Sequence, residues 1–581
     1  MNAALRIRRR APGPEGAWPP DYPPLLRRLH AARGATGPAE ALPRLADLPA
    51  PDAMPGIEAG VSILAAAIAE GRRIVVVADF DCDGATACAV GVRGLRMLGA
   101  ADVAHAVPNR AVHGYGLTPG LVEELDALRP EVLVTVDHGI ACHAGIAAAK
   151  ARGWQVLVTD HHLPGDTLPE ADAIVNPNLP GHAFGSRALA GVGVVFYLLL
   201  ALRRHLREAG RFPAGAPDLG QLLDLVAVGT VADLVPLDAA NRALVGAGLR
   251  RLRAGLGCAG LRALVEVAGR YEATLTTSDI GFGIGPRINA AGRLEDMALG
   301  IACLLEDDLG RARVLAATLD AINRERRELQ QQTTDEAEAV LARLPSPEIL
   351  PPVLVLHDPT WHAGVVGLVA SRIAQRVHRP AFVFAPAQPG SDELRGSARS
   401  IPGLHIRDLI ARVDAAHPGL VVRFGGHAMA AGLTLARERL PAFDIAVRAA
   451  TEAMLDPALL QQELLSDGAL QAHEFALGTA IALRDGGHWG QAYPEPVFDG
   501  VFDVLRWRKI GERHLKLELA PSAPGVGKLR LDAIHFSGWA GAAPPSRVRI
   551  AYRLAPDDYR GGDAIQLVIV HLEPAVDGGN C

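Results

Sequence analysis

Four apolar runs in the first half of the chain each stop at an acidic or imidazole side chain. Val75-Val76-Val77-Ala78 breaks into alternating carboxylates at Asp79, Asp81 and Asp83, followed by Gly84. Residues 131–136 read as a second buried strand ending at Asp137-His138-Gly139, and residues 155–159 as a third ending at Asp160-His161-His162. A fourth apolar stretch, 222–232, leads to Asp233 and then to Leu234-Val235-Pro236-Leu237. Helical patterns over 85–98, 121–128 and 145–152 separate these segments. Strands alternating with helices predict a parallel sheet, and such sheets hold ligands beyond the carboxyl ends of their strands. The Asp and His side chains should therefore converge on one edge. If the strand stays extended through 83, Asp79, Asp81 and Asp83 share a face. Carboxylates that close repel by about 4 kcal/mol per pair at an effective dielectric of about 20. The segment reads as a cation site, with a solvated acidic turn as the alternative.

Beyond this region the pattern changes several times. Residues 1–60 are rich in Pro and Ala with weak periodicity and read as an extended arm with short helices. A metal-binding α/β domain is expected over 61–240 and a helical connector over 241–345. Leu315, Leu319, Ile322 and Leu329 fall on one face of a helix predicted from about Leu309 to Leu344, closed by Pro345. That helix is either a bridge between domains or a long core helix. A second α/β unit is expected over 350–455, opened by Pro352-Val353-Leu354-Val355-Leu356. Its Gly-rich segments, 364–367 and 425–426, are each read as preceding a helix, where backbone N–H groups approach phosphate. Over 465–575, short alternating segments at 497–504, 514–519, 547–552 and 564–570 predict a small β-barrel. Trp507, Arg506, Arg508 and Phe536 would offer stacking and charge to a single strand, or the two aromatics would pack in the core.

Composition narrows the class. A chain of 581 residues should hold several domains. Six cysteines, at 82, 88, 142, 258, 303 and 581, show no paired spacing, which fits neither a disulfide framework nor a zinc ribbon and suits a reducing cytoplasm. Arg6 and Arg8 to Arg10 are followed by Pro and Gly rather than an apolar stretch, so no signal peptide is read, and Leu198 to Leu202 is too short to span a bilayer. The net charge of −6 neither supports nor excludes nucleic acid, because the local field decides binding.

The segments 79–84, 136–139, 160–162 and 229–233 resemble the four motifs of the DHH phosphoesterase superfamily. Pro108-Asn109-Arg110, His113-Gly114-Tyr115-Gly116, the run 285–293 and the run 361–367 narrow the resemblance to the RecJ single-stranded-DNA exonucleases. Gly396 to Ser400 and Phe424 to His427 are similar to the accessory DHHA1 domain. The resemblance runs from about residue 70 to the C-terminus. Two positions depart from it: His138 stands where Asn is common and Cys82 where Ala is common, and either would bear on metal preference.

The resemblance implies a multidomain α/β architecture: a parallel-sheet DHH domain, a long connecting helix, a DHHA1 domain and a C-terminal OB-like barrel. It implies two divalent ions, Mn²⁺ or Mg²⁺, with Asp79 and Asp81 holding one, Asp83, His161 and Asp233 the other, and Asp137 shared. Asp160 and His162 would be supporting or substrate-polarising groups, or His162 a buried salt-bridged histidine. Substrate contacts are expected from Asn109, Arg110, Arg287, Asn289, His362, Ser371, Arg372, Ser397, Arg399, Gly426 and His427. Arg110, Ser397 and Arg399 are read as a handle for a 5′ phosphate at an interdomain cleft, with an ordinary salt bridge as the alternative for Arg399. The implied reaction is stepwise hydrolysis of single-stranded DNA from its 5′ end to mononucleotides, in repair and recombination. A single-stranded-DNA-binding protein is the implied partner, no membrane is involved, and a monomer is expected. A hydrolase of short oligonucleotides or cyclic dinucleotides and a non-catalytic DNA-binding scaffold are the alternatives. The chain retains every Asp and His of the metal pattern, which weighs against the scaffold.

Overall fold

The computed structural model describes residues 5–109, 112–182, 184–294, 296–341, 350–361, 363–364, 366–388, 390–522, 529–539, 541–557 and 560–575. The chain divides into two compact units, Met1–Arg10 with Glu325–Ser466, and Ala11–Arg324 with Asp467–Cys581.

The N-terminal strand β1 (Arg6–Arg9) belongs to the first unit. The larger second unit is built on β2 (Ile74–Ala78), β3 (Val103–Ala106), β4 (Val132–Val136), β5 (Gln155–Thr159) and β6 (Ala173–Val175). They form an all-parallel sheet in the order β3-β2-β4-β5-β6. β2 and β4 are buried at every position because helices cover both faces. Register fixes the site. Ala78 pairs with Val136, and Val136 pairs with Thr159. Asp79, Asp137 and Asp160 are thus the next residues on three adjacent strands, at a strand spacing of about 4.8 Å.

The acidic segment does not continue the strand. The extended backbone stops at Ala78, and the helix Cys82–Met97 begins before Asp83, so the three carboxylates do not alternate along a strand. Asp81 instead caps that helix and Asp83 lies in its first turn. The apolar run before Asp233 is the helix Leu223–Ala232, buried on nearly every side, which is why its periodicity resembles that of a core strand.

The first unit holds a second sheet. Its strands are β7 (Leu354–His357), β8 (Ala381–Pro386), β9 (Glu393–Arg399), β10 (Arg423–Gly426) and β11 (Ala430–Ala436), ordered β10-β11-β9-β8-β7. Only β7 and β8 run parallel. β1 pairs in parallel with β12 (Glu463–Ser466). Gly364 does lie just ahead of a helix, Val366–Val377, but Gly425 and Gly426 do not. They form the end of β10 and turn into β11, so no helix N-terminus exists there. The long helix runs Leu309–Leu341, with Ala312, Ala316 and Leu319 fully buried, and passes from one unit to the other between Arg324 and Glu325. Its expected continuation to Leu344 lies outside the described residues.

In the second unit, β13 (Phe498–Ile510), β14 (His514–Pro521), β15 (Leu531–His535), β16 (Arg547–Pro556) and β17 (Ile565–Pro574) close into a barrel ordered β13-β14-β15-β17-β16, as expected. The N-terminal arm carries short helices, Pro24–Ala31 and Pro38–Ala41 among them. Its helix Pro24–Ala31 contributes Leu26 and Leu29 to the barrel core. Arg33 forms a fully buried ion pair with Asp467 at 3.0 Å, and His30 hydrogen-bonds the Tyr493 hydroxyl at 2.7 Å. Removing one partner of such a buried pair costs about 3–5 kcal/mol. The arm therefore fastens the barrel.

Candidate metal centre and substrate-facing residues

Each side chain of the centre is aimed by backbone donors or by a strand end. The Asp81 carboxylate accepts from the Gly84 N–H at 3.0 Å and caps its own helix. Asp83 accepts from the N–H groups of Gly191 and Val192 at 2.6 and 3.0 Å. These are the first residues of the helix Gly191–Glu208, whose own N-cap, Ala190, supplies no side-chain bond. Asp83 thus caps a helix over a hundred residues away in sequence. Gly191 is required there, because a Cβ would stand 2.4 Å from Asp137 Oδ1. Asp137 sits in the left-handed region at φ +64°, a conformation disfavoured outside glycine and tolerated at constrained sites.

His161 Nε2 lies 3.1 Å from Asp137 Oδ1 and 3.5 Å from Asp233 Oδ2. All three atoms are buried, and none makes a hydrogen bond. Three groups bring their ligand atoms within 4.8 Å of one another: Asp79, Asp81 and Asp137; Asp83, His161 and Asp233; and Asp137, His161 and His162. Burial drives the Asp79 carboxyl up to about 7, reinforced by the charge of Asp81. Burial, then the neighbouring carboxylates, likewise raises Asp83, Asp137 and Asp233, while burial and the charge of His162 hold the His161 imidazole down at about 4, neutral. Buried carboxylates that resist ionising alone, beside orphaned oxygens and a neutral imidazole, form a donor set suited to hard divalent cations.

Asp160 and His162 form a separate pair. His162 Nδ1 donates to Asp160 Oδ1 at 2.7 Å, and that carboxylate also accepts from the N–H groups of His161, His162 and Ile140. Burial opposes both charges, but the mutual hydrogen bond and attraction prevail, holding Asp160 near 2 and His162 at about 9. Both Asp160 oxygens are engaged by hydrogen bonds, Asp160 joins none of the metal groups among the described residues, and the pairing favours the charged imidazole. Cys82 and His138 are fully enclosed and join none of the metal groups among the described residues.

The expected substrate residues divide. Arg287 is 93 % enclosed, paired with Asp320 at 2.8 Å and donating to the Gly283 carbonyl at 2.6 Å, so its guanidinium braces the connector. Asn289 accepts from the Cys82 N–H at 2.7 Å and steadies the acidic loop itself. The Asn109 N–H is bonded to the His113 ring at 3.1 Å. Arg110 and His362 lie outside the described residues. In the other unit, Ser397 and Arg399 share a face of β9, with Arg399 Nη1 donating to Ser397 Oγ at 2.9 Å. A Cβ on Gly367 would stand 3.3 Å from both groups, and Ser371 is one helical turn further on. Arg372 and His427 are exposed, and Gly426 is held at φ +142° in the hairpin turn.

Three apolar side chains near the metal ligands went unread in the sequence as a group. Tyr115 is half-exposed and edge-on to Phe80 at 5.8 Å, while Leu163 and Leu234 directly follow His162 and Asp233 and are largely exposed. In the barrel, Trp507 and Phe536 are exposed, which removes the core-packing alternative. Trp507 stacks on Trp539 at 5.8 Å, with Lys509 5.5 Å above the Trp539 ring.

The chain matches the DHH family N-terminal domain over residues 73–230, the DHHA1 domain over 350–453 and the RecJ OB domain over 466–571. It is 49 % identical to a single-stranded-DNA-specific exonuclease RecJ of Salmonella typhimurium, covering 99 % of this chain and 100 % of that one. Identity to the protein of the same name from Escherichia coli is 48 %, with the same coverage. The crystal structure of RecJ in complex with Mn²⁺ from Thermus thermophilus aligns with a TM-score of 0.76 and 31 % identity, covering 96 % of this chain and 77 % of that one.

Proposed function

The chain belongs to the RecJ family of single-stranded-DNA-specific exonucleases, and on that premise we propose that it hydrolyses single-stranded DNA from the 5′ end to mononucleotides. The observation that carries this reading is the convergence of Asp137 Oδ1, Asp233 Oδ2 and His161 Nε2, buried and without hydrogen bonds, at the carboxyl edge of the sheet. Asp79, Asp81 and Asp137 would hold one divalent ion and Asp83, His161 and Asp233 the other, Mn²⁺ or Mg²⁺ in each case, with Asp137 facing both. When bound, two such ions acidify an attacking water and neutralise charge on the leaving oxygen. The chain's own work is to fix that geometry. Backbone donors hold Asp81 and Asp83, and Asp160 orients His162 and favours its charged form, which would attract a phosphate. Tyr115 and Phe80 offer flat surfaces to an unstacked base.

A strand labelled separately at each end, digested with Mn²⁺, Mg²⁺ or chelator, tests the reading. The 5′ label should leave first as a mononucleotide, and chelator should stop the reaction. Early loss of the 3′ label, or internal fragments, would overturn it.

Ser397, Arg399 and the space left by Gly367 suit a terminal phosphate, which Arg grips through two parallel N–H groups. Arg399→Ala is expected to lose about tenfold to a hundredfold in kcat/KM on 5′-phosphorylated strands, the worth of a charged hydrogen bond. Strands with a 5′ hydroxyl should be almost unaffected. Equal losses on both would reject the role.

The barrel is proposed to add affinity rather than chemistry. Removing it whole is a poor test, because a chain ending near 460 would strip Asp467 from Arg33 and uncover Leu26 and Leu29. Trp507→Ala is cleaner. It should weaken binding of a long strand about tenfold, since one base stacked on an aromatic ring contributes about 1–3 kcal/mol. An Arg506→Ala, Arg508→Ala double variant should instead flatten the salt dependence, because fewer phosphates are neutralised. A fluorescence titration across salt concentrations separates the two effects.

Partnership with a single-stranded-DNA-binding protein, action as a monomer and a cytoplasmic place in DNA repair and recombination belong to the same proposal. Among the described residues, no helix is long and apolar enough to cross a membrane.

A further inference from the structure

A cavity of about 370 Å³ in the second unit lies at the far ends of two helices whose near ends serve the metal centre. The helix Cys82–Met97 has Asp83 in its first turn and brings Arg93, Arg96 and Met97 to the cavity from its last. The helix Leu223–Ala232 leads into Asp233 at one end and lends Leu225 to the cavity at the other. At 1.5 Å per residue the first helix separates the two places by about 20 Å. Leu222, Leu256 and Leu305 add to the apolar wall, and Gln221 stands exposed at the rim.

Three guanidiniums line this apolar space, from Arg93, Arg96 and Arg251. Arg93 is spent on the fold: it donates to the Leu304 and Glu306 carbonyls at 3.1 and 3.3 Å and pairs with Asp307 at 2.7 Å. The Asp307 side chain is 83 % exposed, so that pair holds weakly. Arg96 makes one bond, to the Val103 carbonyl at 3.1 Å, and Arg251 one, to the Leu256 carbonyl at 2.8 Å. Neither forms an ion pair among the described residues. The Arg251 Nε is buried and has no hydrogen-bond partner. The enclosed Asp224 feels the charge of Arg251 but accepts from the Cys258 N–H at 2.6 Å.

We infer that this cavity binds a nucleoside 5′-monophosphate, with the phosphate between Arg96 and Arg251 and the base against the leucines. Small-molecule sites are mostly apolar with a few convergent polar groups, and this cavity has that make-up. A buried guanidinium N–H without an acceptor is costly, and a phosphate dianion supplies acceptors that the arginine fork grips in pairs. Bare phosphate would leave the apolar wall idle, whereas a base covers it and offers its edge to the Gln221 amide, both donor and acceptor. The site stands apart from the nuclease reading. That reading says only where the ligand comes from, since hydrolysis to mononucleotides releases molecules of this class.

The test titrates full-length protein with deoxyadenosine 5′-monophosphate by calorimetry in chelator, where nothing turns over and the crowded carboxylates of the metal centre repel a dianion. One nucleotide should bind per chain. Arg96→Gln and Arg251→Gln should each weaken it about tenfold to a hundredfold, the worth of a charged hydrogen bond, with melting temperatures and initial rates on a labelled strand close to the parent. Leu256→Trp, which fills the cavity from an exposed position without changing charge, should abolish binding. Arg399→Ala should bind as the parent does, and inorganic phosphate should bind the parent at least tenfold more weakly. No binding by a folded parent overturns the site. So do equal affinities in the parent and all three cavity variants, or a loss confined to Arg399→Ala, either of which places the nucleotide elsewhere. Phosphate binding as tightly as the nucleotide overturns the assigned ligand class. A parent that binds the nucleotide at this cavity but cleaves no single strand rejects the nuclease reading and supports the site.

Discussion

Asp137→Asn is expected to lower the rate at saturating metal by about three orders of magnitude or more, while the metal-free protein melts no lower than the parent. The two effects have one source. Asp137 is almost fully buried, its Oδ1 makes no hydrogen bond, and burial with the charges of Asp83 and Asp81 raises its carboxyl far above the usual range. Such a group destabilises the empty fold and becomes favourable only opposite a cation. Two ionised carboxylates about 4 Å apart would repel by about 4 kcal/mol at an effective dielectric of about 20, which is why the empty site resists ionising. Asn keeps the shape and tolerates the φ of +64° that this position imposes. It removes the charge that belongs to both proposed cation sets, and several kcal/mol of lost transition-state stabilisation corresponds to the stated rate loss.

Asp83→Ala should behave differently. Asp83 also caps the helix Gly191–Glu208 through two backbone bonds, so relief of repulsion is offset by about 1 kcal/mol of lost capping. Initial rates in Mn²⁺ and calorimetry in chelator distinguish the two variants. Near-parental rates for Asp137→Asn at saturating metal would sink the assignment.

That contrast shows which parts of the site the sequence could reveal. The strand-end carboxylates were legible because burial on both faces leaves unbroken apolar runs, and parallel register then aligns whatever follows them. Asp79, Asp137 and Asp160 needed nothing more. The stretch before Asp233 was legible only as apolar, since a helix enclosed all round shows no stripe to set it apart from a core strand. Asp83 as a cap was invisible, because its partners are 108 and 109 residues away and are backbone N–H groups with no residue signature. Arg287 was expected at the substrate from the resemblance of the run 285–293, and its pairing with Asp320, 33 residues on, has no local signature. The arm's packing on the barrel was hidden for a related reason: Leu26, Leu29, His30 and Arg33 are too few to show a period, and their partners lie more than four hundred residues downstream.

The Asp160–His162 pair makes the second large prediction. If His162 serves the substrate rather than a metal, His162→Gln should lower kcat by about a hundredfold or more, the usual worth of a positioned acid or electrostatic donor. Mn²⁺ affinity and melting temperature should scarcely move. Asp160→Asn should produce a similar loss of kcat, because without the carboxylate the imidazole is no longer kept charged and oriented. It should also melt lower, by the equivalent of about 1–3 kcal/mol. The reason lies in the loop: Asp160 accepts from three backbone N–H groups as well as from His162, and an amide NH₂ cannot accept in place of an oxygen. Because the two residues act through one hydrogen bond, the double variant should lose little more kcat than either single one. Additive losses would show that they act separately. A His162→Gln variant whose Mn²⁺ affinity falls in step with its rate would place His162 among the metal ligands, in the group it can form with Asp137 and His161. Calorimetric titration of Mn²⁺ beside single-turnover rates decides between the two.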